Sequence, residues 1–361
     1  MANKAYLVLE DGRTFEGTAF GAAACSIGEL VFTTGMCGYL ETLSDPSYYG
    51  QIVLQTFPLI GNYGVIPEDF EGECHLRGYV VREWCAHPSN FRASGDLDAW
   101  LKEKGIPGIA GIDTRALTRI IREQGVMNAM ICAAPPSDLS AVRNYRITGA
   151  VEATTVRAAQ VYPPIERERC RVTLIDYGAK HNIIRELQKR GARVTVVPAV
   201  YSAKEILATH PDGLMLSNGP GDPADCAFQI ETLRALLGKR PIFGICLGHQ
   251  LLALAAGGKT VKLKYGHRGV NQPVKEKHGA RTYITSQNHG YAVLADSVPK
   301  GEPCFYNAND QTCEGMIYPE EHAFSVQFHP EACAGPRDCA FLFDRFFAEM
   351  GVSGYAAESV D

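Results

Sequence analysis

A cysteine set between two glycines, Gly244-Ile245-Cys246-Leu247-Gly248, is the pattern in this 361-residue chain best suited to covalent chemistry. The apolar run Pro241-Ile-Phe-Gly-Ile leads into it, and a helix-like stretch, residues 249–256, leads out. A strand that turns sharply into a helix needs small neighbours. Such a turn lifts the thiol beside the positive end of the helix, where thiolate is favoured. The next backbone N–H, that of Leu247, then faces the place where an oxyanion would develop. By itself the pentapeptide fits a buried structural cysteine equally well. His329-Pro330-Glu331 tips that balance, because it follows the alternating run Ala323-Phe-Ser-Val-Gln-Phe and strand ends in α/β sheets border the ligand crevice. His329 is expected to serve Cys246 as base and acid, with Glu331 holding the other ring nitrogen.

A third motif, Leu216-Ser-Asn-Gly-Pro-Gly-Asp-Pro223, also sits at an expected strand end. Its glycines allow close backbone approach to a ligand and free N–H groups for an anion, although alone it reads as a tight loop. Gln250, one turn past the cysteine, and Ser286-Gln-Asn-His-Gly-Tyr291 are weaker features. Asn288-His-Gly290 fits a hairpin turn at least as well as a pocket wall.

Positioning these residues requires a parallel sheet, and the pattern from residue 170 onward supplies it. Strand-like and helix-like segments alternate through residues 171–176, 181–190, 193–198, 202–209, 213–217, 227–237, 241–245 and 250–256. Further strands are expected at 259–264, 281–285, 291–294, 315–318 and 323–328, and a closing helix at 337–350. The first part of the chain reads differently. Strands at 5–10, 14–19, 29–33 and 51–56 precede helices at 96–104 and 113–124, the second capped by Asp113 or Thr114, and a strand at 126–132. The fold class expected is α/β: a β-rich α+β domain over 1–150, a linker over 151–169, an open, mostly parallel-sheet domain over 170–352, and a tail over 353–361.

Composition narrows the function. The net charge of −5 arises in residues 1–165, with 13 basic and 18 acidic side chains, while 166–361 carry 22 of each. Without a basic domain, no nucleic-acid partner is expected. No apolar stretch is long enough to span a bilayer, and the first residues lack a signal-peptide core, so a cytoplasmic protein with no membrane partner is expected. Twelve scattered cysteines without a C-x-x-C pair read as reduced thiols, and no metal-site pattern is present.

Together, Gly-Ile-Cys-Leu-Gly-His-Gln, Ser-Asn-Gly-Pro-Gly-Asp-Pro and Gln-Phe-His-Pro-Glu resemble the class I glutamine amidotransferases over roughly residues 170–352. Thr34-Gly-Met-Cys-Gly-Tyr-Leu-Glu-Thr-Leu-Ser-Asp-Pro-Ser-Tyr49, Phe57-Pro-Leu-Ile-Gly-Asn62 and Gly111-Ile-Asp-Thr-Arg-Ala-Leu-Thr-Arg119 resemble the N-terminal domain of carbamoyl phosphate synthetase small chains. Tyr265-Gly-His-Arg-Gly-Val-Asn-Gln-Pro-Val274 is similar to that family's glutaminase domain, with Arg268 where a second histidine is commoner. The resemblance implies Cys246 as nucleophile, His329 as base and acid, and Glu331 as orienter. It implies glutamine contacts from Ser47, Gly219, Gly221, Leu247, Gln250, Asn288, Gly290 and Tyr291, the last often Phe in the family. It further implies hydrolysis of L-glutamine through a γ-glutamyl thioester, with ammonia passed internally to a large synthetase chain. That partner would use ATP, Mg and bicarbonate to make carbamoyl phosphate for arginine or pyrimidine synthesis, and no cofactor is expected in this chain. Two rival readings are the glutaminase partner of another amidotransferase and a non-catalytic scaffold of the synthetase. Residues 1–165 speak against the first, and the intact Cys246, His329 and Glu331 against the second.

Overall fold

Two units divide the chain, Met1–Thr148 and Gly149–Asp361, and the computed structural model describes residues 3–355. The first unit is built on a closed seven-stranded barrel. Around it run Lys4–Leu9, Thr14–Gly21, Pro107–Ala110, Gly78–Val80, Gln51–Gln55, Ser26–Thr33 and Met127–Cys132, which pairs back onto Lys4–Leu9. Closure leaves no open sheet edge. Leu7, Leu30, Val31, Val53, Tyr79 and Ile109 are fully buried in this unit. Both expected helices form, Leu97–Glu103 and Thr114–Gln124, and in each an aspartate caps the start: Asp96 accepts from the Ala99 N–H at 2.9 Å and Asp113 from Ala116 at 3.0 Å. The strands Gly78–Val80 and Pro107–Ala110 were not expected. Each is only three or four residues long, too short for a period to show.

The second unit carries a ten-stranded sheet. Its centre is parallel, in the order Ala192–Pro198, Cys170–Asp176, Gly213–Leu216, Ile242–Ile245 and Ala323–Val326. Apolar residues on both faces of these strands are buried, as helices on two sides require. Antiparallel strands extend the sheet at either side: Gln160–Tyr162 on one, and Cys313–Tyr318, Glu302–Asn307, Lys259–Glu276 and Thr282–Leu294 on the other. Lys259–Glu276 and Thr282–Leu294 form one long hairpin, where three short strands were expected. Asn288 and His289 lie inside it, paired with Arg268 and His267, so of the two readings left open for Asn288-His-Gly290 the hairpin turn is set aside: the segment is ladder. The hairpin reverses instead between Glu276 and Thr282.

The expected linker over 151–169 also requires correction. Ala150–Thr154 is a helix whose Val151 is buried in the second unit's core, and Gln160–Tyr162 pairs with Ala192–Pro198. Polar composition suggested a tether. Yet Thr155 donates to the Asp176 carbonyl at 2.6 Å and the Val156 N–H donates to its carboxylate at 2.6 Å, fastening the segment to the sheet. At the other end, Tyr355 packs against Phe347 with the rings tilted at 52° and donates to the Arg190 carbonyl at 3.2 Å, so the unit runs beyond residue 352. The rest of the expected tail, 356–361, lies outside the described residues. The twelve cysteines are free thiols, and among the described residues no helix is long and apolar enough to cross a membrane.

Candidate active site

Two neighbouring parallel strands deliver Cys246 and His329. Ile245 pairs with Val326, so Cys246 leaves the end of one strand and His329 follows three residues past the end of the next. The Cys246 N–H donates to the Val326 carbonyl at 2.9 Å, and helix Leu247–Ala255 begins at once. Cys246 has φ 53° and ψ −103°, a conformation outside every region an L-residue favours. The glycines that flank it have no room for a side chain. A Cβ on Gly248 would stand 2.5 Å from the Leu216 carbonyl oxygen, and one on Gly244 would stand 2.9 Å from the Gly248 carbonyl. The turn is therefore made by pressing the helix start directly onto the sheet.

Around the buried thiol the polar groups are closely ordered. Cys246 Sγ lies 3.7 Å from the Asn288 carbonyl oxygen, and the His329 N–H donates to the Ser286 carbonyl at 2.9 Å, so strand Thr282–Leu294 is tied to both residues. His329 Nδ1 meets Glu331 Oε1 at 2.7 Å, with both side chains fully buried. This leaves Nε2 for the thiol. Nε2 makes no hydrogen bond of regular geometry among the described residues, although Cys246 is close enough to raise the ring's pKa. Burial and the Lys180 charge pull the imidazole down, but Glu331 and Cys246 outweigh them and hold it up at about 9. Glu331 is held below the usual carboxylate range: burial opposes its charge, and His329 and Lys180 more than offset that.

Lys180 was not singled out from the sequence. Its Nζ lies 3.4 Å from His329 Nδ1 and 3.8 Å from Glu331 Oε1, and its N–H donates to Asn218 Oδ1 at 3.0 Å. Asn182 donates to the Glu331 carbonyl. Both residues follow strand Cys170–Asp176 through Tyr177-Gly-Ala, and the only signal for them was that a loop at the end of a parallel strand borders the crevice.

The remaining expected residues fall in three places. Gly219 and Gly221 follow strand Gly213–Leu216; a Cβ on Gly219 would sit 2.8 Å from Leu247 Cδ2, so the glycine loop abuts the residue after the cysteine. Gln250 donates through Nε2 to the Tyr291 carbonyl and to Gln327 Oε1, each at 2.9 Å, bracing the strand that carries Asn288, Gly290 and Tyr291. Ser47 belongs to the first unit, in the turn Pro46–Tyr48, where its N–H donates to Asp45 Oδ1 at 2.9 Å.

The family model described as Glutamine amidotransferase class-I matches residues 173–349, the stretch that holds both the strained thiol turn and the imidazole–carboxylate pair beyond the end of the next parallel strand. A second model, the carbamoyl-phosphate synthase small chain CPSase domain, matches residues 7–131. Carbamoyl phosphate synthase small chains from Bacillus caldolyticus and Clostridium perfringens are 50% and 49% identical to this chain. The alignments cover 96% of both chains for the first, and 95% of this chain and 98% of the relative for the second. The pyrimidine-specific small chain of Bacillus subtilis is 48% identical over 99% of each. This chain therefore belongs to the carbamoyl phosphate synthase small chain family. Its class is that of the glutamine amidotransferase subunits of that synthase, and residues 7–131 set aside the reading as partner of a different amidotransferase.

Proposed function

We propose that the chain hydrolyses L-glutamine at Cys246 and passes the ammonia to a large synthetase chain that uses ATP and bicarbonate. The thiolate attacks the carboxamide carbon, and the resulting oxyanion is held by the Leu247 N–H and the Gly219 loop. Collapse breaks the C–N bond, His329 protonates the leaving ammonia, and a γ-glutamyl thioester remains on sulfur. Water then adds to the thioester, its proton going to the same imidazole, and the C–S bond breaks to release glutamate. Glu331 fixes Nδ1 so that Nε2 faces the sulfur. Gly221, Asn288, Gly290 and Tyr291 offer backbone and side-chain contacts to glutamine, while Gln250 has only its carbonyl oxygen left to offer, its N–H groups being engaged. Ser47 is assigned to glutamine on the family resemblance.

One observation carries this reading: the strained backbone of Cys246 beside a buried His329–Glu331 pair at 2.7 Å. A structural cysteine would need neither. The test is Cys246→Ser in the complex assembled with the large chain. Carbamoyl phosphate synthesis from glutamine is lost while synthesis from ammonium salts continues; equal loss of both, or retained use of glutamine, refutes the assignment.

A further inference from the structure

Beyond the reactive residues, the second unit buries a run of polar side chains that the proposed reaction does not use. Glu314, on strand Cys313–Tyr318, is completely buried. Its Oε2 accepts from Gln287 Nε2 at 3.0 Å, and its Oε1 accepts from Asn307 Nδ2 at 3.2 Å and lies 3.4 Å from His267 Nδ1. His267 Nε2 meets Asp310 Oδ2 at 2.8 Å. On the far side, the Gln287 oxygen lies 3.2 Å from His289 Nε2, and His289 Nδ1 lies 2.8 Å from the Tyr291 carbonyl oxygen. The two imidazoles stand edge to face at 4.9 Å.

This run ends on the wall of the proposed glutamine site. Gln287 and His289 flank Asn288, whose carbonyl touches the Cys246 thiol, and His289 shares the Tyr291 carbonyl with Gln250. A buried carboxylate is costly unless its acceptor sites are filled. Here it is satisfied from three sides, and with Gln287 Nε2 donating to it the Gln287 oxygen is turned to His289 Nε2. His267, His289 and Glu314 also have the spacing of a metal trio, but their donor atoms are already engaged with Asp310, Gln287, Asn307 and the Tyr291 carbonyl. The arrangement is complete without an ion.

We propose that Glu314 is a positioning residue for glutamine: by clamping Gln287, and through it His289, it fixes the Asn288–Tyr291 backbone at the distance from Cys246 that substrate binding requires. The inference rests on the glutaminase reading above. Direction of burial agrees with a hydrogen-bonding role, since burial pushes the Glu314 carboxyl up while His267 and Asn307 draw it back. What the clamp needs is an acceptor for the Gln287 amide.

The test is steady-state glutamine hydrolysis by the assembled complex carrying Glu314→Leu or Glu314→Gln. Leucine removes the acceptor, and the KM for glutamine is expected to rise about tenfold, with kcat and ammonium-supported synthesis within about twofold of wild type. Glutamine keeps an acceptor and is expected to restore most of the lost affinity. If the leucine variant does not assemble, Gln287→Met cuts the same clamp from its other end and must show the same selective rise. An unchanged KM, a parallel loss of ammonium-supported synthesis, or one tightly held equivalent of divalent metal in the wild-type complex overturns the proposal. Cys246→Ser reports separately on the glutaminase reading: if that variant still uses glutamine, the reading itself fails whatever Glu314 does.

Discussion

At Cys246 the ordinary preference for alanine over glycine should invert. With φ 53° and ψ −103°, any residue with a Cβ is strained there, and the cost for such a conformation is about 3 kcal/mol at the upper end of the usual range. Glycine relieves that strain but pays about 1 kcal/mol in unfolded-chain entropy and forgoes about 0.8 kcal/mol from the buried methyl. The balance favours Cys246→Gly over Cys246→Ala by about 1 kcal/mol. In a unit of this size that is a midpoint about 2–4 °C higher by differential scanning calorimetry. Both variants lack the sulfur, so neither thiol oxidation nor a trapped thioester enters the comparison. Ala253, fully buried inside the helix that starts at Leu247, provides the control: there Ala→Gly is expected to cost about 2 kcal/mol, about 1 from helix propensity and about 0.8 from the buried methyl. An alanine variant at 246 that melts at or above the glycine variant would refute the claim that the elbow is strained, and with it the reason given for a bare cysteine between glycines.

Gly248→Ala forces a Cβ to within 2.5 Å of the Leu216 carbonyl oxygen, so the helix must lift; a loss of about 2 kcal/mol in urea denaturation is expected, with glutamine use failing and ammonium use surviving. Glu331→Gln removes one of the two influences that hold His329 up at about 9 and leaves Cys246 alone against burial and Lys180. The imidazole is then expected to titrate lower than in the wild type by histidine NMR, and an unmoved value would refute the pairing. His249 is fully buried and neutral, its pKa pushed down to about 3 by burial alone. The unfolded chain binds that proton below about 6.5 and the folded chain does not, so stability falls as pH drops, by about 2 kcal/mol at pH 5. His249→Asn should flatten that part of the stability–pH curve.

The geometry around Cys246 and His329 was legible in the sequence because it is constrained locally. Gly244 and Gly248 are dictated by contacts the turn makes with itself and with Leu216, and Glu331 reaches His329 from two residues away. Residues that act across the sheet left no such trace. Lys180 and Glu314 are single ionisable residues in unremarkable runs, and only the strand order brings one beside His329 and the other beside Gln287. The supposed linker failed for the same reason: Thr155 and Val156 are held by Asp176, a partner about twenty residues further on. The central inference, that positions 246 and 329 meet, needed one further fact. The alternation of strands and helices implies a parallel sheet, but not that Ala323–Val326, reached after the whole hairpin, returns to lie beside Ile242–Ile245. Once it does, the common direction of the two strands puts both ends at the same edge of the sheet. The Cys246 N–H then bonds the neighbouring strand at Val326, so the thiol and the imidazole are held by one ladder, and a shift in the register of that pair would separate them.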